Sequence, residues 1–147
     1  MRLNLGSGNK KFKKFTNVDI DPNTNPDIVA DISKEIPVEN NSVDEIITQH
    51  TLEHVDDLIT TLNEIWRVCK NGAKITIEVP HRDSPMAWAD PTHKRVFNEE
   101  TFNYFCINGS NYQEGYIPGY HGKFRLLSQE YINGKYKNLR VIMEAVK

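Results

Sequence analysis

Cysteine is scarce. Cys69 and Cys106 are the only two, far apart and without a CxxC pair, which leaves no basis for a disulfide framework or a structural zinc site. No apolar run approaches the roughly 20 residues that span a bilayer, so no membrane partner is expected. Neither sign of charge dominates: 18 lysines and arginines against 20 aspartates and glutamates give a net charge of −2. That balance lacks the basic excess of a general nucleic-acid binder and the acidic excess of a solvating tail. Gly-Lys-Ser/Thr never occurs, which excludes a phosphate-binding P-loop. Met1 to Gly6 carries no signal or transit pattern, so the expected setting is cytoplasmic and reducing. Repeats and low-complexity segments are missing too.

What is present is a globular composition, 38% hydrophobic and 26% charged, over 147 residues. It suits one compact domain covering 1–147. Leu3 to Leu5 is a short apolar run cut off by Gly6-Ser7-Gly8, which reads as a buried strand ending in a glycine loop. Thr16 to Ile20, Asp27 to Ala30 and Ser42 to Thr48 read as three more strands. Val55, Leu58, Ile59, Leu62, Ile65, Trp66 and Cys69 recur at three- and four-residue steps and predict an amphipathic helix. Asp56 and Asp57 fall in its expected first turn, Lys70 in its last, and Asn71-Gly72 is the stop signal. Ala73 to Val79 follows as a strand closed by Pro80. Periodicity fades from His81 to Gly122, where a short helix is expected from Asn98 to Phe105. Two strand-like runs, Phe124 to Ile132 and Leu139 to Val146, flank the turn signal Asn133-Gly134.

Strands alternating with connections and ending in a strand pair predict an α/β fold. The expected architecture is a Rossmann-like, mostly parallel sheet with an antiparallel C-terminal strand pair. Such a sheet takes its ligand beyond the carboxyl ends of the strands, where strand order reverses. The residues just after each strand are therefore the ones to examine. Taken alone, Gly6 and Gly8 fit any tight turn that lets a ligand touch backbone. Asp19 ends the second strand, where a carboxylate can accept both hydroxyls of a ribose. Asp31 ends the third, where a carboxylate can accept from the exocyclic amine of an adenine.

These segments resemble the class I S-adenosylmethionine-dependent methyltransferases. The residues that carry the resemblance are Leu3-Asn4-Leu5-Gly6-Ser7-Gly8-Asn9, Asn17-Val18-Asp19-Ile20, Ala30-Asp31-Ile32, His50-Thr51-Leu52-Glu53-His54-Val55 and Ile65 to Ala73. The resemblance implies S-adenosyl-L-methionine as cofactor and a methyltransferase activity. It implies that Asn4, Gly6, Ser7 and Gly8 lie along the methionine part, with Gln49 and His50 beside the sulfonium. Asp19 with Ile20 would hold the ribose, and Asp31 with Ile32 would flank the adenine. Two departures stand out. Asn4 replaces the family's usual acid, and Lys10 its third glycine. Between Gly8 and Thr16 there is also no room for the usual helix after the first strand. Lys10 or Lys11 offers a counter-charge for the cofactor carboxylate, or else these lysines are a solvated loop.

His81 to Phe97 follows the fifth strand and is placed over the methyl group by that resemblance. Methyl transfer needs alignment, exclusion of water and, for a hydroxyl or ammonium acceptor, a base. His81 and His93 suit the base, with Asp90 as an orienting partner. Trp88, Phe97, Phe102, Tyr104, Phe105, Tyr112, Tyr116 and Tyr120 are expected to divide between an acceptor pocket and the core. Glu53 and His54 are expected to be structural, and no metal site is expected because no ligands are tightly spaced. The expected partner is a small-molecule methyl acceptor, and no motif specifies an oligomeric state. Two other readings fit parts of the sequence. A nicotinamide-dependent oxidoreductase would need a third glycine opening a helix and an acid about 20 residues on. A non-catalytic cofactor-binding or interaction module is compatible with the shortened first connection.

Overall fold

The computed structural model describes residues 1–147. Seven strands form one sheet: β1 (Arg2–Leu5), β2 (Thr16–Asp19), β3 (Ile28–Val29), β4 (Val43–Gln49), β5 (Cys69–Pro80), β6 (Phe124–Asn133) and β7 (Lys137–Ala145). Their order is β3-β2-β1-β4-β5-β7-β6, with β7 antiparallel to both its neighbours and the other pairings parallel. The mostly parallel sheet with an antiparallel C-terminal pair is thus present. Strand order reverses between β1 and β4, which fixes where a ligand crevice can open.

Side chains alternate across a strand, so the register assigns each face. Leu3 and Leu5 pair with Ile46 and Thr48, which pair with Ile75 and Ile77, which pair with Met143 and Val141. All eight are essentially inaccessible and make one apolar face. The helix α1 (Leu58–Val68) adds buried Leu62, Ile65 and Val68 to the same core, and Phe97, Phe102, Phe105 and Phe124 join it. The opposite face is polar. One row across five strands reads Arg2, Glu45, Lys74, Glu144, Arg125, with charges alternating in sign. Arg2 meets Glu45 at 3.2 Å and Arg125 meets Glu144 at 2.5 Å. No helix is long and apolar enough to cross a membrane.

The helix is shorter than its apolar pattern. Asp57 is its cap, accepting from the Thr60 N–H at 3.0 Å, so Asp56 lies outside the first turn and Val55 is buried without being helical. At the other end Cys69 already pairs with Val43, and the Lys70 ammonium reaches Asp44 at 2.6 Å instead of capping the helix. Asn71-Gly72 sits in the register offset that follows, with Gly72 at φ +77°. The expected helix from Asn98 to Phe105 is only a 3-10 turn, Phe102–Tyr104, although Asn98 Oδ1 does accept from the Glu100 N–H. A five-residue helix, α2 (Pro85–Ala89), lies where the sequence shows no helical periodicity. Proline at its first position presets the backbone angle.

No helix joins β1 and β2, as the spacing predicts. Buried amides hold the connection instead. The Asn4 side chain donates to the Lys10 carbonyl at 2.8 Å and to Asn17 Oδ1 at 2.9 Å. Asn17 Oδ1 also accepts from the Phe12 N–H, and its amide nitrogen donates to Asp27.

Candidate active site

A cavity of about 460 Å³ opens at the carboxyl ends of β1 to β4. Gly6 and Gly8 from the turn after β1, Asp19 and Ile20 from the end of β2, Asp31 and Ile32 from the turn after β3, and His50 from the end of β4 all line it. Three short parallel strands with short exits bring these chain-distant residues to one edge.

The glycines serve different ends. Gly6 has φ +65°, and a Cβ there would fall inside the space held by the Thr51 side chain. Gly8 has φ +47°, and the position of its missing Cβ is open space. The Gly8 N–H donates to Asp19 Oδ2 at 2.6 Å, and the Asp21 N–H donates to Oδ1 at 2.9 Å. Each oxygen of a carboxylate offers two acceptor positions, so one remains on each for a ligand. Asp31 Oδ1 accepts from the Ser33 hydroxyl and N–H, at 2.6 and 3.0 Å, while Oδ2 lies 3.2 Å from Lys34 Nζ. The Ser33 hydroxyl, first among these donors, holds the Asp31 pKa below the ordinary aspartate value. His50 sits at φ +52°, a left-handed geometry rare outside glycine. The Glu53 carboxylate, 3.5 Å from His50 Nδ1, pushes the His50 pKa up against the opposing effect of burial, with Glu78 adding to the rise.

Three residues named from the sequence stand away from this cavity. Asn4 is buried, with both amide hydrogens committed to the β1–β2 connection. The Ser7 hydroxyl accepts from Lys11 Nζ at 2.8 Å, and that ammonium also reaches the Gly8 carbonyl. Lys11 thus braces the loop rather than standing free. Gln49 lies in the β4–β5 ladder opposite Glu78.

A second cavity of about 330 Å³ adjoins the first, sharing His50 and His54 with it. Glu53, Asp90 and His93 also line it. Asp90 and His93 are therefore brought together, with His93 Nε2 3.7 Å from Asp90 Oδ2. His81 is not with them. It is buried, its Nε2 is 3.1 Å from Glu99, its Nδ1 accepts from the Asp83 N–H, and its ring packs edge-on against Tyr131. Both nitrogens are used to tie β5 to its surroundings. The aromatics also fall elsewhere. Phe97, Phe102 and Phe105 are core, Trp88 is 70% exposed, and Tyr104, Tyr112 and Tyr120 line a separate third cavity.

Glu53 and His54, expected from the sequence to be structural, line the cavity wall. The one signal for them was a carboxylate and a histidine side by side immediately after a strand end. Their neighbour His93 is 39 positions further on, a distance that no local pattern bridges.

The methyltransferase domain family matches residues 4–77, which runs from within β1 to within β5 and includes every residue lining the larger cavity. No curated protein matches the sequence at a significant level. Among solved structures, a SAM-dependent methyltransferase from Aquifex aeolicus superposes with TM-score 0.68 at 18% identity, covering 99% of this chain and 81% of its own. Another from Archaeoglobus fulgidus gives 0.67 at 16% identity, covering 97% and 85%. The cyclase SpnF gives 0.74 at 11% identity, covering 99% and 74%. At these identities the likeness is one of fold, and the fold hosts more than one chemistry.

Proposed function

The chain belongs to the methyltransferase domain family, and from that premise we propose that it binds S-adenosylmethionine in the larger cavity and methylates a small molecule held in the smaller one. The observation that carries this reading is the lining of the larger cavity: two glycines, Asp19, Asp31 and His50, each at a different strand end of one crevice. The residues fit the cofactor. Open space at Gly8 lets a ligand approach backbone. Asp19 keeps one acceptor position on each oxygen for a ribose, and Asp31 Oδ2, which meets only the exposed Lys34 ammonium at 3.2 Å, has a second acceptor position for an adenine amine.

When bound, the cofactor supplies a methyl group on a positively charged sulfur, already activated for displacement. The protein's part is placement. Asp19 and Asp31 anchor the adenosyl end, and the Gly6–Gly8 turn leaves room for the rest. His93 holds its ring through an Nδ1 contact to the Ala87 carbonyl at 3.2 Å, which leaves Nε2, 3.7 Å from Asp90 Oδ2, as its other nitrogen in a residue that lines the second cavity. That nitrogen can hold an acceptor or take its proton. Asp90 is fixed beside it by Thr92, whose N–H and hydroxyl donate to Oδ1 at 2.8 and 2.6 Å.

Calorimetric titration tests the assignment. S-adenosylmethionine and S-adenosylhomocysteine bind, and NAD and ATP do not. Binding of NAD with no response to either sulfur compound would end the reading. A turnover assay that detects S-adenosylhomocysteine in a pooled metabolite extract separates an enzyme from a module that only binds. His93→Ala lowers turnover at least tenfold and changes cofactor affinity less than threefold, on the order expected for loss of a group that positions the acceptor without contact to the adenosyl end. If turnover and affinity fall together, His93 supports the cofactor cavity instead.

A further inference from the structure

We propose that Glu53, His54 and His93 form a binding site for one divalent transition-metal ion, of the zinc type, in the wall between the two cavities. The three side chains offer ligand atoms that all lie within 4.8 Å of one another. Two imidazoles and a carboxylate are a donor set that borderline metals such as zinc accept.

The carboxylate is the first argument. Glu53 is 1% exposed, and neither of its oxygens has a hydrogen-bond partner. An ionised carboxylate buried without partners is costly, and proteins retain such a group where a cation compensates it. His50 Nδ1 lies 3.5 Å away, too far for a good hydrogen bond, and Arg95 acts on the carboxylate only through its charge.

The imidazoles are the second argument. The Thr92 hydroxyl has one proton and gives it to Asp90 Oδ1 at 2.6 Å. Its 3.0 Å contact to His54 Nδ1 therefore places the proton on that nitrogen. His93 Nδ1 faces the Ala87 carbonyl at 3.2 Å, which can only accept, so this nitrogen too carries its proton. In its neutral form each ring is thereby held in the tautomer with an unprotonated Nε2. Metal-bound histidines are oriented in this way, through an outer partner on the other nitrogen. The rings sit edge to face, 4.8 Å apart. Donors around a tetrahedral zinc are about 3.3 Å apart, from bonds of about 2.0 Å, so closure on an ion needs only small side-chain movements. Three protein ligands leave a position open, and the second cavity leads to it. An acceptor with an oxygen or nitrogen donor would occupy that position.

The site does not depend on the methyl-transfer reading, but it excludes a proton-accepting role for His93, whose Nε2 would be committed to the ion. The test uses the untagged 147-residue chain, stripped with a chelator and titrated with zinc in a calorimeter. Metal content is then measured after dialysis. One equivalent of zinc per chain is expected. Glu53→Gln and His93→Ala each abolish it, and Thr92→Val, which removes the outer partner of His54, weakens it by about 10- to 100-fold. His121→Ala, on an exposed histidine outside the cluster, leaves it intact. Cobalt in place of zinc gives visible absorption bands that Glu53→Gln removes. Glu53→Gln is expected to stay folded, since neither Glu53 oxygen has a hydrogen bond to lose, and its circular dichroism checks this. Absence of a stoichiometric equivalent in the unmodified chain overturns the proposal. So does an equivalent that folded Glu53→Gln and His93→Ala both retain. In either case S-adenosylmethionine binding is unaffected, so failure here is distinct from failure of the functional reading.

Discussion

Asp19→Ala weakens the binding of S-adenosylmethionine by about 30- to 1000-fold and leaves the chain folded. The magnitude follows from losing two charge-assisted hydrogen bonds to a ribose, together on the order of 2–4 kcal/mol. Asp19 also accepts from the Gly8 and Asp21 N–H groups, so the substitution loosens the glycine turn as well as removing the ribose anchor. Asp19→Asn separates the two effects. The amide keeps one acceptor oxygen, but its NH2 cannot accept, so it can satisfy only one of the two backbone donors. It should fall between the wild type and Asp19→Ala. Titration calorimetry reads the dissociation constants, and circular dichroism checks the fold. An unchanged constant in folded Asp19→Ala would show that this acid only shapes the turn.

Gly6→Ala should destabilise the protein by roughly 2–5 kcal/mol and abolish measurable cofactor binding. Two costs add. A left-handed backbone at a residue with a Cβ costs about 1–2 kcal/mol, and forcing an extra carbon into filled space costs about 1–3 kcal/mol. The filled space belongs to Thr51, whose hydroxyl lies 3.1 Å from the Gln49 carbonyl. Gly8→Ala carries the first cost without the second, because its Cβ would meet nothing. Thr51→Ala in the Gly6→Ala background should recover part of the loss by vacating that space. Chemical denaturation of the four proteins reads this. Equal losses for Gly6→Ala and Gly8→Ala would refute the steric argument.

Legibility followed the range of the interactions. Strand positions were readable because buried runs and turn residues are local signals, and the missing β1–β2 helix was readable from chain length alone. Helix ends were not. Whether Asp57 or Asp56 captures the first free N–H is decided by a single side-chain geometry. Gly6, Gly8, Asp19, Asp31 and His50 of the larger cavity were legible because each lies at or just after a strand end that a parallel sheet must gather on one edge. Asn4 misled because its amide fastens a loop, a role with no signature in the sequence. His81 and His93 looked alike, each polar and following the fifth strand. One is consumed by Glu99 and Asp83, and the other is aimed by Ala87, a difference that only tertiary packing creates. The back face of the sheet was hidden for the same reason, since its alternating charge row exists only in register.

The sheet is lopsided. On one side of β4, strands of 12, 9 and 10 residues make long continuous ladders. On the other, β1, β2 and β3 have four, four and two residues and are joined by loops. Local opening free energies track such differences, and the short edge is where the chain parts first. That edge carries Asp19 and Asp31. A molecule that bridges them with Gly8 becomes in effect an additional connection across β1 to β3, taking up the job that a helix would have done. Occupancy and cohesion of this edge are then one equilibrium. Every gain in affinity for the adenosyl group is also a gain in the free energy needed to peel the first three strands away.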